Sequence, residues 1–300
     1  MKKKSIGIQK ATYYNRLQKQ GYIFILPTLL LFSLFLIYPM LDAFRLSLYE
    51  WNFAGSPIFI GLKNFIKLFS TKRFWNSYAI TLKFTFLSVV LLMFISFWLS
   101  LAFTSKLCWF KQFYQSMIFL PVVLPMVAIA VVWKFMFQST GLLSVIFLDI
   151  FGWNIPWLTS IKVAPYAMVL VNVWKYTGYY MVMFIAGLLN IPDVYYEAAK
   201  IDGAGFWRRL IHITLPLLKN TLILVFVSCA IFSFGTFALQ YVMTGGGPSR
   251  STEVLTLLIY KEAFEYTKFG YSAAISVMFF LTLFIFSIIQ LRIFSSEAEI

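Results

Sequence analysis

The longest charged and polar interruption in the hydrophobic second half of the chain is Ile191–Pro216, which reads IPDVYYEAAKIDGAGFWRRLIHITLP. The apolar runs on both sides are long enough to cross a bilayer, which takes about 20 residues. Pro192 and Asp193 are typical of a helix start, and good helix formers follow them. Gly203 and Gly205 accept a positive φ at little cost. The pattern therefore predicts two short helices joined by a sharp turn.

The second predicted helix has an apolar stripe. Phe206, Leu210 and Ile213 lie at i, i+4 and i+7, which places them on one face. Arg208 and Arg209 fall largely outside this stripe, where they can meet water, lipid headgroups or a partner. A membrane protein with such a hairpin in a loop is expected to present it to a partner. An interfacial amphipathic helix without any partner is the alternative.

The spacing of this stretch is similar to the EAA loop of binding-protein-dependent ABC importers. That pattern is EAA, three residues, Gly, nine residues and I-x-L-P, and this chain has Glu197-Ala198-Ala199, Gly203 and Ile213-Thr214-Leu215-Pro216. The resemblance is to the carbohydrate branch of these permeases, which includes the maltose and glycerol-phosphate importers. It covers most of residues 20–293, and its further landmarks are GLKNF at Gly61–Phe65, Trp174, LLNIPD at Leu188–Asp193 and MTGGGP at Met243–Pro248.

The composition indicates an integral membrane protein. Hydrophobic residues make up 61% of the chain and charged residues 12%, which is far from a soluble domain. A net charge of +14 raises nucleic acid as a partner, but the basic residues lie mostly between apolar runs, where they act as topology signals. Two cysteines, Cys108 and Cys229, are too few for a disulfide framework.

Six apolar runs predict six transmembrane helices. The first follows residues 1–21, which carry basic but no acidic residues and are expected to be a cytoplasmic tail. A cleaved signal peptide is the alternative, but the run is long and lacks a small-residue cleavage site. The predicted spans are Tyr22–Met40, Phe84–Phe103, Met117–Phe137, Val163–Leu189, Leu222–Val242 and Tyr271–Leu291. An even number of spans returns residues 294–300 to the cytoplasm and gives one permease domain over 22–293.

Two segments outside these spans need separate interpretations. The outer segment before the second span has four basic residues, contrary to the positive-inside rule, at Lys63, Lys67, Lys72 and Arg73. Its apolar residues are helically spaced, so we predict an amphipathic helix on the outer membrane surface. The run Leu142–Trp157 is too short and too interrupted to span, and we predict an outer loop with interfacial contacts.

Catalytic and metal-binding motifs are scarce in this sequence. No G-x-x-x-x-G-K-[ST] motif occurs, and the glycine cluster Gly245–Pro248 is predicted to be a mobile or tightly turned outer loop. His212 is the sole histidine, which argues against metal clusters and histidine-based triads. We therefore expect no enzyme activity, no metal and no cofactor on this chain, with ATP and Mg²⁺ bound by partner subunits.

Polar residues inside the fourth and fifth spans indicate a substrate pathway, since hydrocarbon makes them costly. Hydroxyls and amides interleaved with aromatic rings suit a sugar, whose faces stack on rings and whose hydroxyls need partners. Helix–helix hydrogen bonding is the alternative. The resemblance to maltose-type permeases carries their membrane sugar site onto Lys175, Tyr176, Tyr179, Cys229, Phe232, Ser233 and Thr236.

Lys175 suggests a narrower hypothesis about the substrate. A cation at mid-span is disfavoured by roughly 2.5–3.5 kcal/mol, and an anionic sugar such as a uronate would offset that cost. The alternative is that Lys175 snorkels or pairs within the complex. A basic residue after this tryptophan also occurs in permeases of neutral sugars.

The resemblance implies an all-α membrane protein with the type I ABC importer permease fold. It also implies a second homologous permease, two cytoplasmic ATPase subunits and an extracytoplasmic sugar-binding protein, but no nucleic acid. The loop would couple ATPase closure to movement of the spans, through Glu197, Ala198, Ala199, Asp202, Gly203, Ala204 and Arg208. A secondary transporter is the alternative, but it predicts mid-membrane carboxylates, and no Asp or Glu lies well inside the predicted spans.

Overall fold

The computed structural model describes residues 22, 24–52, 55–105 and 110–295. These residues form a helical protein with one two-stranded β-ribbon, Tyr49–Glu50 (β1) and Ile58–Phe59 (β2), paired antiparallel. The helices before the polar stretch are α1 (Phe24–Leu46), α2 (Lys63–Ser70), α3 (Lys72–Thr104), α4 (Lys111–Val123), α5 (Met126–Met136), α6 (Leu142–Phe151) and α7 (Ala164–Leu189). The later helices are α8 (Asp193–Ile201), α9 (Phe206–Leu217), α10 (Lys219–Phe234), α11 (Ala238–Thr244), α12 (Leu255–Tyr260) with a π-turn over Lys261–Glu265, and α13 (Phe269–Ser295).

Several of these helices can cross a membrane. By length and composition α1, α3 and α13 qualify among the described residues, and the bent pairs α4–α5 and α9–α10 raise the number to five. The remaining predicted span is α7, a helix of 26 residues whose polar side chains lower its mean hydropathy. α7 packs against α3, α4 and α10, and about half of its residues are buried. Protein contacts therefore stabilise the helix that is least suited to face lipid.

Two predicted spans are broken in the structure. The span predicted over Met117–Phe137 is the pair α4–α5, which bends by 100° at the segment before Pro125. A proline removes a backbone donor and clashes with the preceding turn, so this change of direction has a local cause. The span predicted over Leu222–Val242 stops at Phe234 and resumes as α11 after Gly235. The sequence prediction located these two spans but did not include their breaks.

The core lies between α3, α7 and α10 and is stabilised by close backbone approach. Gly178 of α7 faces α4, where an added Cβ would lie 2.3 Å from the Ile118 carbonyl oxygen. Only glycine allows the two helices to come this close. At the preceding residue of α7, the Ser96 hydroxyl of α3 donates to the Thr177 carbonyl oxygen at 3.0 Å. α7 is thus fixed between α3 and α4 by a glycine contact and a hydrogen bond.

The segment between α1 and α3 contains the predicted amphipathic helix, which is α2. The buried Asn64 side chain donates hydrogen bonds of 2.9 Å to the carbonyl oxygens of Ser47 and Tyr49, so it joins α2 to β1. The run Leu142–Trp157, predicted to be an outer loop with interfacial contacts, begins with a short helix, α6. Its apolar residues form a short helix because Gly152, with φ +68°, can end it in the left-handed conformation.

The predicted boundaries of the permease domain are only partly within the described residues. The tail over residues 1–21 lies outside them, as do residues 296–300 of the other tail. The backbone of residues 294 and 295 continues α13, so the last helix extends beyond the predicted end at residue 293.

Candidate functional site

The polar stretch forms the predicted helical hairpin, made of α8 and α9. Pro192 precedes α8 and Asp193 is its first residue, as the helix-start signals predicted. The two helices are joined by a side-chain contact, since the Tyr196 hydroxyl lies 3.1 Å from the Thr214 hydroxyl. We call α8 and α9 with their connecting turn the coupling hairpin.

The turn of the coupling hairpin depends on Gly203. Its φ is +73°, as the sequence led us to expect. The Ala204 amide donates to the Ala199 carbonyl oxygen at 2.8 Å, and the Gly203 amide donates to the Lys200 carbonyl oxygen at 3.1 Å. These two hydrogen bonds form a Schellman motif, which satisfies carbonyl groups at the end of α8. The left-handed glycine therefore sets the angle between the two helices.

The buried face of α9 differs from the predicted stripe. Leu210 and Thr214 of α9 are buried, as is Leu218 directly after it, whereas Phe206 is exposed and Ile213 is only half-buried. A π-turn over residues 210–214 adds backbone to each turn at this point and shifts the apolar face away from regular helical spacing. The predicted stripe was based on regular helical spacing, so it placed Phe206 and Ile213 on the buried face together with Leu210.

The predicted coupling residues lie together along the coupling hairpin. Ala199 is buried and Ala204 half-buried, where they hold the hairpin against the protein. Five of the residues are exposed, namely Glu197, Ala198, Asp202, Gly203 and Arg208.

Among the residues that the structure describes, the Glu197 carboxylate makes no hydrogen bond and no ion pair. An exposed apolar surface surrounds it, including Val194, Tyr195, Ile201, Phe206 and Trp207. Apolar surface of this kind is typical of a protein interface.

The predicted substrate-pathway residues fall into two groups. Lys175, Cys229 and Ser233 are buried, and the Cys229 thiol lies near Ser233 and near Tyr180 of α7. Exposed or half-buried positions are occupied by Tyr176, Tyr179, Phe232 and Thr236. The buried group joins α7 to α10, and the other group provides rings and a hydroxyl at the surface. Their role in substrate binding stays a prediction.

Lys175 has protein partners in this structure. Its side chain is 3% exposed, and its Nζ donates to the carbonyl oxygens of Pro121 at 3.1 Å, Val122 at 3.3 Å and Leu124 at 2.6 Å. These carbonyl groups lie where α4 ends, so they have no partners within a continuing helix. Lys175 therefore caps the break between α4 and α5. The sequence indicated the cost of this cation but not its partners.

A buried charge cluster joins α3 to the segment after α11. Arg73 donates to both carboxylate oxygens of Glu253, at 2.9 and 2.8 Å, and to Glu262 at 2.7 Å. The Lys261 Nζ lies 3.4 Å from Glu253 and donates to the Gly245 carbonyl oxygen at 2.6 Å. We call Arg73, Glu253, Lys261 and Glu262 the charge cluster. It holds the glycine-rich turn, where Gly245 and Gly246 have positive φ.

Sequence reasoning missed the charge cluster although it flagged Arg73 as contrary to the positive-inside rule. Arg73 is 180 positions away from Glu253. No local pattern can connect residues so distant in the chain. The position of Arg73 on the predicted outer side, contrary to the positive-inside rule, was the signal that this cation has a carboxylate partner.

Comparison with known proteins identifies the family. Residues 99–296 match the model of the binding-protein-dependent transport system inner membrane component. A probable ABC transporter permease protein of Bacillus subtilis, YurN, is 33% identical over 93% of this chain and 97% of its own length. The trehalose/maltose transport system permease protein MalF of Thermococcus litoralis is 34% identical, over 92% of this chain and 93% of its own. The lactose permease protein LacF of Rhizobium radiobacter is 32% identical over 90% and 92%.

The fold is also that of a solved ABC transporter. The crystal structure of a bacterial ABC transporter involved in the import of the acidic polysaccharide alginate contains a chain similar to this one. The TM-score is 0.83 at 20% identity, over 96% of this chain and 100% of that chain. At this identity the likeness establishes the fold alone. With the family match and the full-length relatives, it places this chain in the family of binding-protein-dependent inner membrane components, as a permease of an ABC importer.

Proposed function

We propose that this chain is a transmembrane subunit of an ATP-driven importer of sugars, and that its substrates are oligosaccharides. The observation that carries the proposal is the coupling hairpin. It presents the Glu197 carboxylate, which has no partner among the described residues, within an exposed apolar surface. The names of the relatives support the substrate class, since they include permeases for trehalose and maltose, for lactose and for arabinooligosaccharides.

The proposed complex contains four kinds of subunit. A second homologous permease would complete the pathway, and two ATPase subunits would bind the coupling hairpins and hydrolyse ATP with Mg²⁺. This chain itself would hydrolyse nothing. An extracytoplasmic binding protein would deliver the sugar, as the solved alginate transporter was crystallised with its pentasaccharide-bound periplasmic protein. Membership of an ABC family favours this arrangement over an importer driven by an ion gradient.

The mechanism follows from the placement of the coupling hairpin. α8 follows α7 after Asn190, and α9 leads into α10, so a force on the hairpin acts on both helices. These two helices carry the predicted substrate-pathway residues. Closure of the ATPase subunits on the hairpin would therefore rotate the helices around the sugar and alternate access to it.

An uptake panel tests the substrate class. The complete complex is reconstituted in proteoliposomes with its binding protein, and ATP-dependent uptake of maltose, trehalose, lactose and arabinooligosaccharides is measured. We expect uptake of at least one sugar series. Uptake driven by an ion gradient without ATP, or ATP-dependent uptake of amino acids only, would contradict the proposal.

The Glu197→Gln substitution tests the coupling role. It removes the charge while the hairpin keeps its shape, because Glu197 is exposed and bears no contact that fixes the fold. Removing one partner of a buried interfacial charge pair costs about 2–5 kcal/mol. We therefore expect lower co-purification of the ATPase subunits, or ATP hydrolysis without uptake. Asp149→Asn, which changes an exposed carboxylate on α6, is the matched control. Wild-type coupling in Glu197→Gln would refute this role.

A further inference from the structure

Four aromatic side chains form a continuous series at the end of the molecule that is opposite to the coupling hairpin. Phe237 stacks on Tyr241 with ring centroids 5.3 Å apart and an interplanar angle of 15°. Tyr241 and Tyr260 are 5.1 Å apart, and Tyr260 and Phe264 are 5.2 Å apart. We call Phe237, Tyr241, Tyr260 and Phe264 the aromatic ladder. It links α11 with α12 and the π-turn that follows α12.

The aromatic ladder is open to its surroundings at two of its rings. Phe264 is 66% exposed and Tyr241 is also exposed, while Phe237 and Tyr260 are half-buried beside them. Rings that served only to join α11 to α12 would bury their faces against each other and against the core. Here the contacts between the rings fix their orientation, and a large part of their surface remains available. The surface is thus both rigid and accessible, which lowers the ordering cost of binding a ligand.

The aromatic ladder continues the predicted substrate pathway. Phe232, in the last turn of α10, is exposed, and Thr236 is half-buried just before Phe237. The Thr256 hydroxyl donates to the Thr236 carbonyl oxygen, and Tyr260 lies one helical turn after Thr256 on α12. The ladder therefore follows directly in the chain after two residues of the predicted membrane site, Phe232 and Thr236.

The surroundings of the ladder favour a sugar over lipid. Glu265, which follows Phe264 directly in the chain, is exposed and has no ion pair among the described residues. The Tyr241 and Tyr260 rings, with centroids 5.1 Å apart, each add a hydroxyl group to the ladder. A free carboxylate facing hydrocarbon is costly. Beside a sugar the same carboxylate accepts hydrogen bonds from hydroxyl groups. The flat apolar faces of sugar rings can stack on the aromatic faces, as aromatic side chains do on one another.

We propose that the aromatic ladder is an entry subsite that binds the leading units of a neutral oligosaccharide by stacking, before they reach the membrane site at Phe232. This inference rests on the proposed function, because it assumes that the substrate is a sugar. Phe264 and Tyr241 provide the stacking surface, and Glu265 binds hydroxyl groups at its edge. A short sugar bound at the membrane site leaves the ladder empty, whereas a longer one occupies both.

Chain-length dependence of uptake tests the inference. The complete complex is reconstituted with a binding protein saturated with maltose or maltotetraose, or with arabinobiose or arabinotetraose, according to the series that the uptake panel identifies. We expect Tyr241→Ala/Phe264→Ala to lower the initial rate for the tetrasaccharide about tenfold, and the rate for the disaccharide less than about twofold. The single variant Phe264→Trp keeps a stacking surface and an intact Tyr241, so its initial rate for the tetrasaccharide should be close to that of wild type. Phe94→Ala removes an exposed ring of α3 outside the ladder and is the matched control.

The other outcomes overturn the inference in distinguishable ways. Loss of the second permease from the purified double variant would show that the ladder is a subunit interface. Equal rates for all variants would show that the rings face lipid, and equal losses for both sugar lengths would exclude a role in chain length. If the wild-type complex imports no sugar, the proposed function fails and this inference fails with it. If the wild-type complex imports sugars of every length and the ladder variants import them at the same rates, the inference alone fails.

Discussion

Gly203 and Gly205 flank the same turn of the coupling hairpin but differ in backbone conformation. Gly203 has φ +73°, whereas Gly205 has φ −68°, and an added Cβ would meet no atom within 4 Å at either position. Any difference between substitutions at the two glycines therefore comes from the backbone alone. A left-handed conformation costs an L-residue roughly 1–2 kcal/mol, and more when the residue is β-branched.

We expect Gly203→Val to impair coupling and Gly205→Val to have a much smaller effect. Valine at position 203 must either accept the strain or change the angle between α8 and α9. The measurements are co-purification of the ATPase subunits and ATP hydrolysis stimulated by the loaded binding protein. Equal effects of the two substitutions would mean that the left-handed turn is not what positions the hairpin.

At the residue scale, the sequence was most informative where a residue type has a strong preference for one backbone conformation. The turn at Gly203 and the helix start at Asp193 could be read in advance, because glycine and the start signals act locally. The face of α9 could not, because the π-turn at Leu210 depends on tertiary packing. The exposure of Glu197 followed from the family resemblance and not from its neighbours.

The break between α4 and α5 is held by a side chain from a different helix, α7. Lys175 donates to the carbonyl oxygens of Pro121, Val122 and Leu124, as described above. Lys175→Met preserves much of the side-chain volume but leaves these acceptors unsatisfied, at about 1–3 kcal/mol for each buried group. We expect a lower melting temperature of the purified complex and slower uptake.

The control for Lys175→Met is Lys134→Met, which removes an exposed lysine whose Nζ donates to the Val242 carbonyl oxygen at 3.2 Å. This substitution should leave the melting temperature almost unchanged, because water can satisfy the carbonyl group. The hypothesis of an acidic sugar makes a different forecast for Lys175→Met: uptake of acidic sugars falls while stability is unchanged. The melting temperature therefore separates the capping role from the substrate role.

At the element scale, hydropathy predicted where helices occur but not where they break. Length and apolarity located α1, α3 and α13, because each is long and continuous. The breaks after Val123 and Phe234 lie inside apolar runs, where a hydropathy window averages over them. The helical form of α6 was not predicted, because Asp149 within it and Gly152 and Pro156 after it were read as interruptions of a span.

The charge cluster ties together parts of the molecule that are far apart in the chain, and it should make stability depend on pH. Burial by itself raises the pKa of Glu253, but the hydrogen bonds and charges of Arg73 and Lys261 outweigh it and hold this pKa below its usual value. A depressed carboxylate pKa stabilises the folded state above the unfolded pKa of about 4.3. This stabilisation is lost as the pH falls through the lower, folded pKa.

Glu253→Gln tests this dependence. Near pH 7 the substitution should lower the melting temperature markedly, since breaking a buried ion pair costs about 3–5 kcal/mol. Below about pH 4.3 the difference between wild type and variant should begin to shrink, because the unfolded wild-type chain takes up a proton at this carboxylate while the folded state still holds it ionised. Asp42→Asn removes a carboxylate paired with Arg45 on the surface and should change neither value much. A difference between wild type and Glu253→Gln that is independent of pH would contradict the assignment.

The whole chain can be tested for the sidedness that the coupling role requires. With an even number of crossings, the coupling hairpin and the last residues of α13 lie on one side, and the glycine-rich turn lies on the other. Gly246 is a poor place for a label, because it is buried with φ +91°, and an added Cβ would lie 3.2 Å from the Glu253 Cβ. Ser249, which is exposed in the same turn, is the better position.

We therefore expect cysteines introduced at Lys200 and Arg208 to react with a membrane-impermeant maleimide only in inside-out vesicles. A cysteine at Ser249 should react only in intact cells. Both native cysteines are first replaced by alanine, so that only the introduced thiol can react. Labelling of Lys200→Cys in intact cells would place the coupling hairpin outside. An ATPase in the cytoplasm could not then reach Glu197, and the coupling mechanism proposed for this permease would be wrong.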